Sequence, residues 1–252
     1  MSRPALSVVI PAYNEARRLP ATLARVRDYL AARGAGHEIL VIDDGSSDAT
    51  ADVARGTGAP VRVLRHTPNR GKGYAVRRGM LAATGARRLM TDADLSTPIE
   101  DLARLEAELD HGFAVAIGSR AVAGARIEVH QPAYREAMGR LFNVLVQTLL
   151  LPGLADTQCG FKLFTAAAAE TAFSACRLDG FSFDVEALYV ARRRGLRIAE
   201  VPVVWRNDAA TRVGLGGGGA AFADLLRIRY FALRGAYGSR GAGAPASDGG
   251  GT

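Results

Sequence analysis

The sequence predicts an α/β fold in which a mostly parallel sheet is covered by helices on both faces. Three observations lead there. Short apolar, β-rich runs recur along the first half of the chain, separated by stretches with apolar residues at three-and-four spacing. The runs are apolar almost throughout instead of alternating, which is the pattern of strands buried on two faces. The connections are long enough for helical crossovers, which parallel neighbours require.

The first strand is Leu6-Ser7-Val8-Val9-Ile10, which stops at Pro11 and runs into the loop Ala12-Tyr13-Asn14-Glu15. Pro20 marks a helix start, and Leu19, Leu23, Val26 and Leu30 give that helix one apolar face. Residues 38–42 form a second strand ending in Asp43-Asp44, and Gly45-Ser46-Ser47 turns the chain into a helix from about Asp48. Residues 61–64 are a third strand, followed by Asn69-Arg70-Gly71-Lys72-Gly73 and a helix through Ala83. The fourth strand, 87–91, runs into Asp92-Ala93-Asp94. Thr97-Pro98-Ile99-Glu100 then looks like a capped helix start, with Glu100 reaching back. Residues 114–118 make a fifth strand.

Beyond Ser119-Arg120 the texture changes. Residues 121–131 have the character of a loop, and a helix is expected over 132–150, apolar nearly all round in its second half. A short segment, 156–164, precedes helices near 165–175 and after Phe183. Residues 198–205 make a last strand in which Pro202 suggests an edge or bulge. Gly216 to Gly219 is expected to be a hinge before an Arg-rich helix over 221–233, and the Gly/Ala/Ser/Pro-rich tail over 235–252 is expected to be disordered.

Composition narrows the function. The chain has 252 residues, a net charge of +7 and 48% hydrophobic residues, so it can bury a core and favours anionic partners. Cys159 and Cys176 make no disulfide framework or zinc pair, which fits a reducing compartment. The N-terminus lacks the apolar region of a signal peptide, and no apolar run approaches the roughly 18 residues of a membrane span. No G-x-G-x-x-G follows the first strand and no P-loop motif appears anywhere, and His37, His66, His111 and His130 show no metal-ligand spacing. The arginines are dispersed and carry no nucleic-acid-binding motif, so a nucleic-acid partner is not expected.

What remains is chemistry at strand ends. Ligands of open α/β sheets bind outside the carboxyl ends of the strands, and three such ends carry polar, mostly acidic groups. Asp92 and Asp94 offer two hard oxygen donors on one tight loop. That set suits Mg²⁺ or Mn²⁺, which takes its other ligands from water and a substrate phosphate.

The ordered motifs Val9-Ile10-Pro11-Ala12-Tyr13-Asn14-Glu15, Val41-Ile42-Asp43-Asp44-Gly45-Ser46-Ser47-Asp48, Asn69-Arg70-Gly71-Lys72-Gly73 and Asp92-Ala93-Asp94 resemble those of the family 2 inverting glycosyltransferases of GT-A fold. Gly118-Ser119-Arg120, the run Asp156 to Phe164, Phe183-Asp184-Val185-Glu186 and Val201 to Trp205 are similar to the dolichyl-phosphate sugar synthases, glucosyl- and mannosyltransferases alike. The resemblance implies a Rossmann-like GT-A domain over residues 1–234. Residues 1–119 would form the nucleotide-sugar half and 120–234 the acceptor half.

It also implies roles. Pro11, Tyr13, Asn14 and Glu15 would floor the nucleotide pocket with Gly45 and Ser46, and Asp43 would accept from the base. Lys72 and Arg212 would meet nucleotide oxygens or phosphate. Asp92 would touch ribose or metal, and Asp94 the metal directly. Arg120, Arg135 and Arg140 are candidates for the acceptor phosphate, because guanidinium groups recognise phosphate through paired hydrogen bonds, and Lys162 joins them as a further cation. Asp184 would orient an arginine or approach the sugar. Asp94, Arg120 and Asp184 are thus the expected catalytic set.

The expected reaction moves glucose from UDP-glucose to a dolichyl or polyprenyl phosphate, on the cytoplasmic face of a membrane to which the protein is peripherally bound. A GDP-mannose donor, a soluble acceptor and, from another class, a nucleotidyltransferase stay open at this point.

Overall fold

The computed structural model of the chain describes residues 3–34, 36–130, 132–206 and 216–238. β1 (Leu6–Ala12), β2 (His37–Asp43), β3 (Val61–Arg65) and β4 (Arg87–Thr91) are parallel strands in the order β3-β2-β1-β4. They are joined by α1 (Leu19–Ala32), α2 (Thr50–Gly56) and α3 (Lys72–Ala82). Side chains of β1 point alternately to two layers. Val8 and Ile10 pack with Leu23 and Val26 of α1 and with the layer of the next helix, while Val9 packs with Val76 and Met80 of α3.

After β4 a short 3-10 turn, Ile99–Asp101, leads into α4 (Leu102–Asp110) and β5 (Val115–Ser119). The capping box expected at Thr97 does not form. Thr97 Oγ1 meets Cys159 Sγ at 3.6 Å instead, and Glu100 reaches outward to Arg25. The sheet's rim is close enough here to claim the hydroxyl before the helix does.

The second half holds more strand than its sequence shows. β6 (Arg126–Val129) lies inside the expected loop, and α5 (Ala133–Leu149) follows it. β7 (Phe161–Thr165) occupies what looked like a short irregular segment and inserts antiparallel between β4 and β5. Its buried Lys162 breaks the apolar run that would have marked a central strand. α6 (Ala166–Phe173) and α7 (Phe183–Arg193) lie over the face that carries α3. The single strand expected over 198–205 is two: β8 (Ile198–Pro202) closes the main sheet beside β5, and β9 (Val204–Arg206) crosses to pair with β6. Pro202, with no N–H to donate, stands where the chain leaves the sheet.

The main sheet therefore runs β3-β2-β1-β4-β7-β5-β8 and takes strands from both halves of the chain. α8 (Gly216–Leu233) begins at Gly216, so the glycines expected as a hinge belong to its first turn. Residues 235–238 are likewise not a loose tail, because Tyr237 is among the largest fully buried side chains. The rest of the expected tail, 239–252, lies outside the described residues.

Candidate active site

The C-terminal ends of β1, β2 and β4 meet at one rim, as parallel pairing requires. Pro11 is still in register within β1, opposite Ile42. Asn14, with φ of 56°, turns so that its N–H donates to Ser46 Oγ at 2.9 Å and its Oδ1 accepts from Ser47 N at 2.9 Å. Glu15 is gripped by Arg18 Nε at 2.7 Å, while its N–H donates to Thr50 Oγ1 at 2.7 Å. Tyr13 stands half exposed at the mouth.

Asp43 is fully buried; its Oδ1 accepts from Ser46 N at 2.9 Å. Arg65 Nε lies 3.1 Å from Oδ2 but off the hydrogen-bonding line. Gly45 takes φ of +74°, and a Cβ there would sit 2.8 Å from Asn69 N. Asp44 is the functional scaffold that sequence reasoning passed over. It accepts from Asn69 Nδ2 at 3.0 Å, Arg70 N at 2.8 Å and Gly71 N at 2.9 Å and pairs with His66 at 2.6 Å, so it shapes the loop that delivers Lys72. In the sequence it stands within the Val41-to-Asp48 motif, beside Asp43, with nothing local to mark its part in the Asn69 to Lys72 loop.

Lys72 opens α3, and its Nζ lies 2.6 Å from Asp92 Oδ1. Burial works against the ammonium, but Asp92, Asp184 and Asp94 outweigh it and hold the lysine above its usual pKa. Asp92 sits on the turn after β4, where its N–H donates to Gly160 O at 3.1 Å. Asp94 Oδ1 accepts from Ser96 N at 2.9 Å, and the intervening Leu95 holds φ of 46°, which is uncommon for a non-glycine residue. Burial, and then the like charge of Asp92, push Asp94 above the usual carboxylate range.

On the far side of Lys72, Asp184 pairs with Lys162 Nζ at 2.8 Å, both side chains being buried. Burial raises Asp184 more than Lys162 and Lys72 lower it. Lys162 also donates to Cys159 O at 2.5 Å. The structure thus brings Asp94, Asp92, Lys72, Asp184 and Lys162 into one charged network, in which Lys72 faces Asp92 and Lys162 faces Asp184. Lys162, expected at the acceptor phosphate, is buried, with its ammonium spent on Asp184 and Cys159 O.

The acceptor candidates separate. Arg120 is forked onto Asp156, with Nε to Oδ2 at 2.7 Å and Nη2 to Oδ1 at 2.9 Å, and its guanidinium lies over the Trp205 ring. Although burial opposes its charge, Asp156 raises its pKa. Arg140 is exposed on α5, 3.8 Å from Glu136. The Arg135 side chain and all of Arg212 lie outside what the structure describes.

Among the described residues no three His, Cys, Asp or Glu side chains gather into a metal cluster. Two carboxylates one residue apart, one with its pKa raised by burial and then by the other's charge, fit a hard divalent ion that keeps water and phosphate ligands.

Comparison with known proteins places the chain in a family. The family described as Glycosyl transferase family 2 matches residues 7–173. Human dolichyl-phosphate beta-glucosyltransferase is 37% identical over 249 residues, covering 92% of this chain and 77% of that protein. The Drosophila melanogaster protein of the same name is 41% identical over 218 residues, covering 79% of this chain and 66% of that protein. Among solved structures, glucosyl-3-phosphoglycerate synthase from Mycobacterium tuberculosis in complex with UDP superposes with a TM-score of 0.66. It is 21% identical and covers 95% of this chain and 82% of that one. The same enzyme in complex with Mn²⁺, UDP-glucose and phosphoglyceric acid gives a TM-score of 0.65 at 19% identity, with the same coverage. At such identities these structures show the shared fold.

Proposed function

The chain belongs to glycosyl transferase family 2, and from that premise we propose that it transfers glucose from UDP-glucose to a dolichyl or other polyprenyl phosphate, releasing UDP. The observation that carries this reading is the reach of the similarity. Human dolichyl-phosphate beta-glucosyltransferase matches 92% of the chain, so the likeness extends past the donor rim into the acceptor half.

In this reading Asp43 accepts from the uracil imide, and Lys72 turns from Asp92 to the diphosphate. Asp92 and Asp94 would hold Mg²⁺ or Mn²⁺, whose charge stabilises the leaving diphosphate. The Mycobacterium tuberculosis enzyme, of the same fold, is seen with Mn²⁺ and UDP-glucose. A phosphomonoester is already mostly anionic near neutral pH, so the acceptor needs aligned cations more than a strong base. In-line attack at C1 then depends on positioning and electrostatics. Arg120, fixed by Asp156, supports the wall of the acceptor side, with Arg135, Arg140 and Arg212 as the remaining candidates for the phosphate.

The surface fits a lipid substrate. Tyr134, Met138, Leu141 and Val144 on α5 and Leu226, Tyr230 and Leu233 on α8 are exposed, and α5 and α8 touch. Arg140, Arg227, Arg229 and Arg234 accompany them on the exposed surface. No helix among the described residues is long and apolar enough to cross a membrane. Peripheral attachment at the cytoplasmic face, through this apolar surface and its arginines, is the arrangement proposed.

The test is direct. Purified protein is given labelled sugar nucleotides, Mn²⁺ and a short polyprenyl phosphate. Label from UDP-glucose is expected in the lipid fraction, and label from GDP-mannose is not. Retention of all label in the aqueous phase overturns the reading.

A further inference from the structure

We infer that Tyr237 is a positioning residue for the donor site: through Glu186 it holds the loop that caps the helix carrying Lys72. The inference rests on the reading of Lys72 and Asp92 as donor-binding groups. Tyr237 is fully buried just after α8, and its hydroxyl donates to Glu186 Oε1 at 2.6 Å. Glu186, fully buried on α7, spends its other oxygen on backbone, accepting from Arg177 N at 2.9 Å and Leu178 N at 2.8 Å. The loop so held places Asp179 O at the start of α3, where it accepts from Gly73 N at 2.8 Å and Tyr74 N at 3.3 Å.

Those two N–H groups belong to the first turn of α3, whose donors have no partner within the helix. Lys72 begins that turn and reaches Asp92 from it. Fixing the turn fixes where the lysine starts from. The same α7 turn that carries Glu186 also carries Asp184, whose charge acts on Lys72. Tyr237 itself is held edge-on by Tyr189 and Phe231, with ring centroids 6.0 and 6.3 Å away. Burial and the Glu186 charge both raise its pKa, so the hydroxyl stays a donor at any working pH.

Removing the hydroxyl leaves a buried carboxylate oxygen without its donor, the costly case for a hydrogen bond. The experiment compares the full chain with Tyr237→Phe, Lys72→Ala and the double variant. It reads UDP affinity by calorimetry with Mn²⁺ present, and amide hydrogen exchange at Gly73 and Tyr74. Tyr237→Phe is expected to weaken UDP about tenfold and to speed exchange at both amides. In the Lys72→Ala background the same change is expected to weaken UDP by less than about twofold, because coupled sites are non-additive.

A Tyr237→Phe variant that melts lower but keeps UDP affinity and exchange at Gly73 and Tyr74 unchanged overturns the inference. If Lys72→Ala alone binds UDP as the wild type does, the donor-site reading fails, and exchange at the two amides still decides whether the link from Tyr237 exists. Glu186→Gln, which keeps the volume, provides the same comparison if Tyr237→Phe does not fold.

Discussion

Asp92 and Gly160 are seated against one another: the Asp92 N–H donates to Gly160 O at 3.1 Å, and the Asp92 carboxylate fills the space a side chain at 160 would take. A Cβ at position 160 would overlap Asp92 Oδ2 and Cγ, so the carboxylate has to give way. Gly160→Ala is therefore expected to move the carboxylate and lower turnover by about 10²-fold, the scale for a misplaced active-site group. Circular dichroism should stay unchanged. Near-normal turnover in a folded Gly160→Ala protein would count against a donor role for Asp92.

The paired acids make a second expectation about binding. With UDP and Mn²⁺ each well above their dissociation constants, the wild type should gain on the order of 2.7 kcal/mol of stability at 100 times the dissociation constant. Asp94→Asn should fold but show no Mn²⁺-dependent shift in its melting curve, and EDTA should remove the shift and the turnover of the wild type. A Mn²⁺ shift that survives in Asp94→Asn places the metal elsewhere.

Arg120 and Asp156 carry a pH dependence with a defined sign. Burial raises the Asp156 carboxyl, but Arg120 beside it lowers it further, for a net shift below the usual carboxylate value. The folded state then binds fewer protons than the unfolded chain. The pair's contribution is complete above the ordinary carboxylate pKa and is lost as pH falls through the lowered one. Asp156→Asn should cost about 3 kcal/mol near neutral pH, the low end for breaking a buried pair because Arg120 is partly exposed. Urea unfolding at neutral and acid pH measures both effects. The variant should lose less stability than the wild type on acidification, and parallel loss would assign the acid sensitivity to other groups.

The exposed apolar face makes a prediction separable from chemistry. Leu141→Glu is expected to abolish flotation with anionic vesicles while retaining turnover on a short, water-soluble polyprenyl phosphate. Arg140→Ala should weaken vesicle binding by about 1 kcal/mol, roughly fivefold, and the difference should vanish at high salt. If Leu141→Glu still floats with vesicles, the lipid surface meets another face.

Much of the donor side was legible because its signals are local. Strand, turn and helix start follow one another within a few residues at Asp43, Lys72 and Asp92, and parallel pairing carries those ends to one rim. The roles of Arg120 and Lys162 were not legible in the same way. A basic residue's sequence neighbourhood does not say whether its partner is a ligand or a carboxylate such as Asp156 or Asp184, tens of residues away.

By itself the sequence determined the βαβ alternation, the buried character of the strands and the run of acids at their ends, since periodicity and turn chemistry are written into contiguous residues. Only the tertiary structure decided that β7 enters antiparallel between β4 and β5, which sets Gly160 against Asp92 and Lys162 beneath Asp184. It likewise decided that Tyr237, in a glycine-rich stretch with every mark of a loose tail, is locked onto Glu186. The reason is physical: hydrophobic pattern records that a residue is buried, whereas the partner it is buried against is chosen by contacts between segments far apart in the chain.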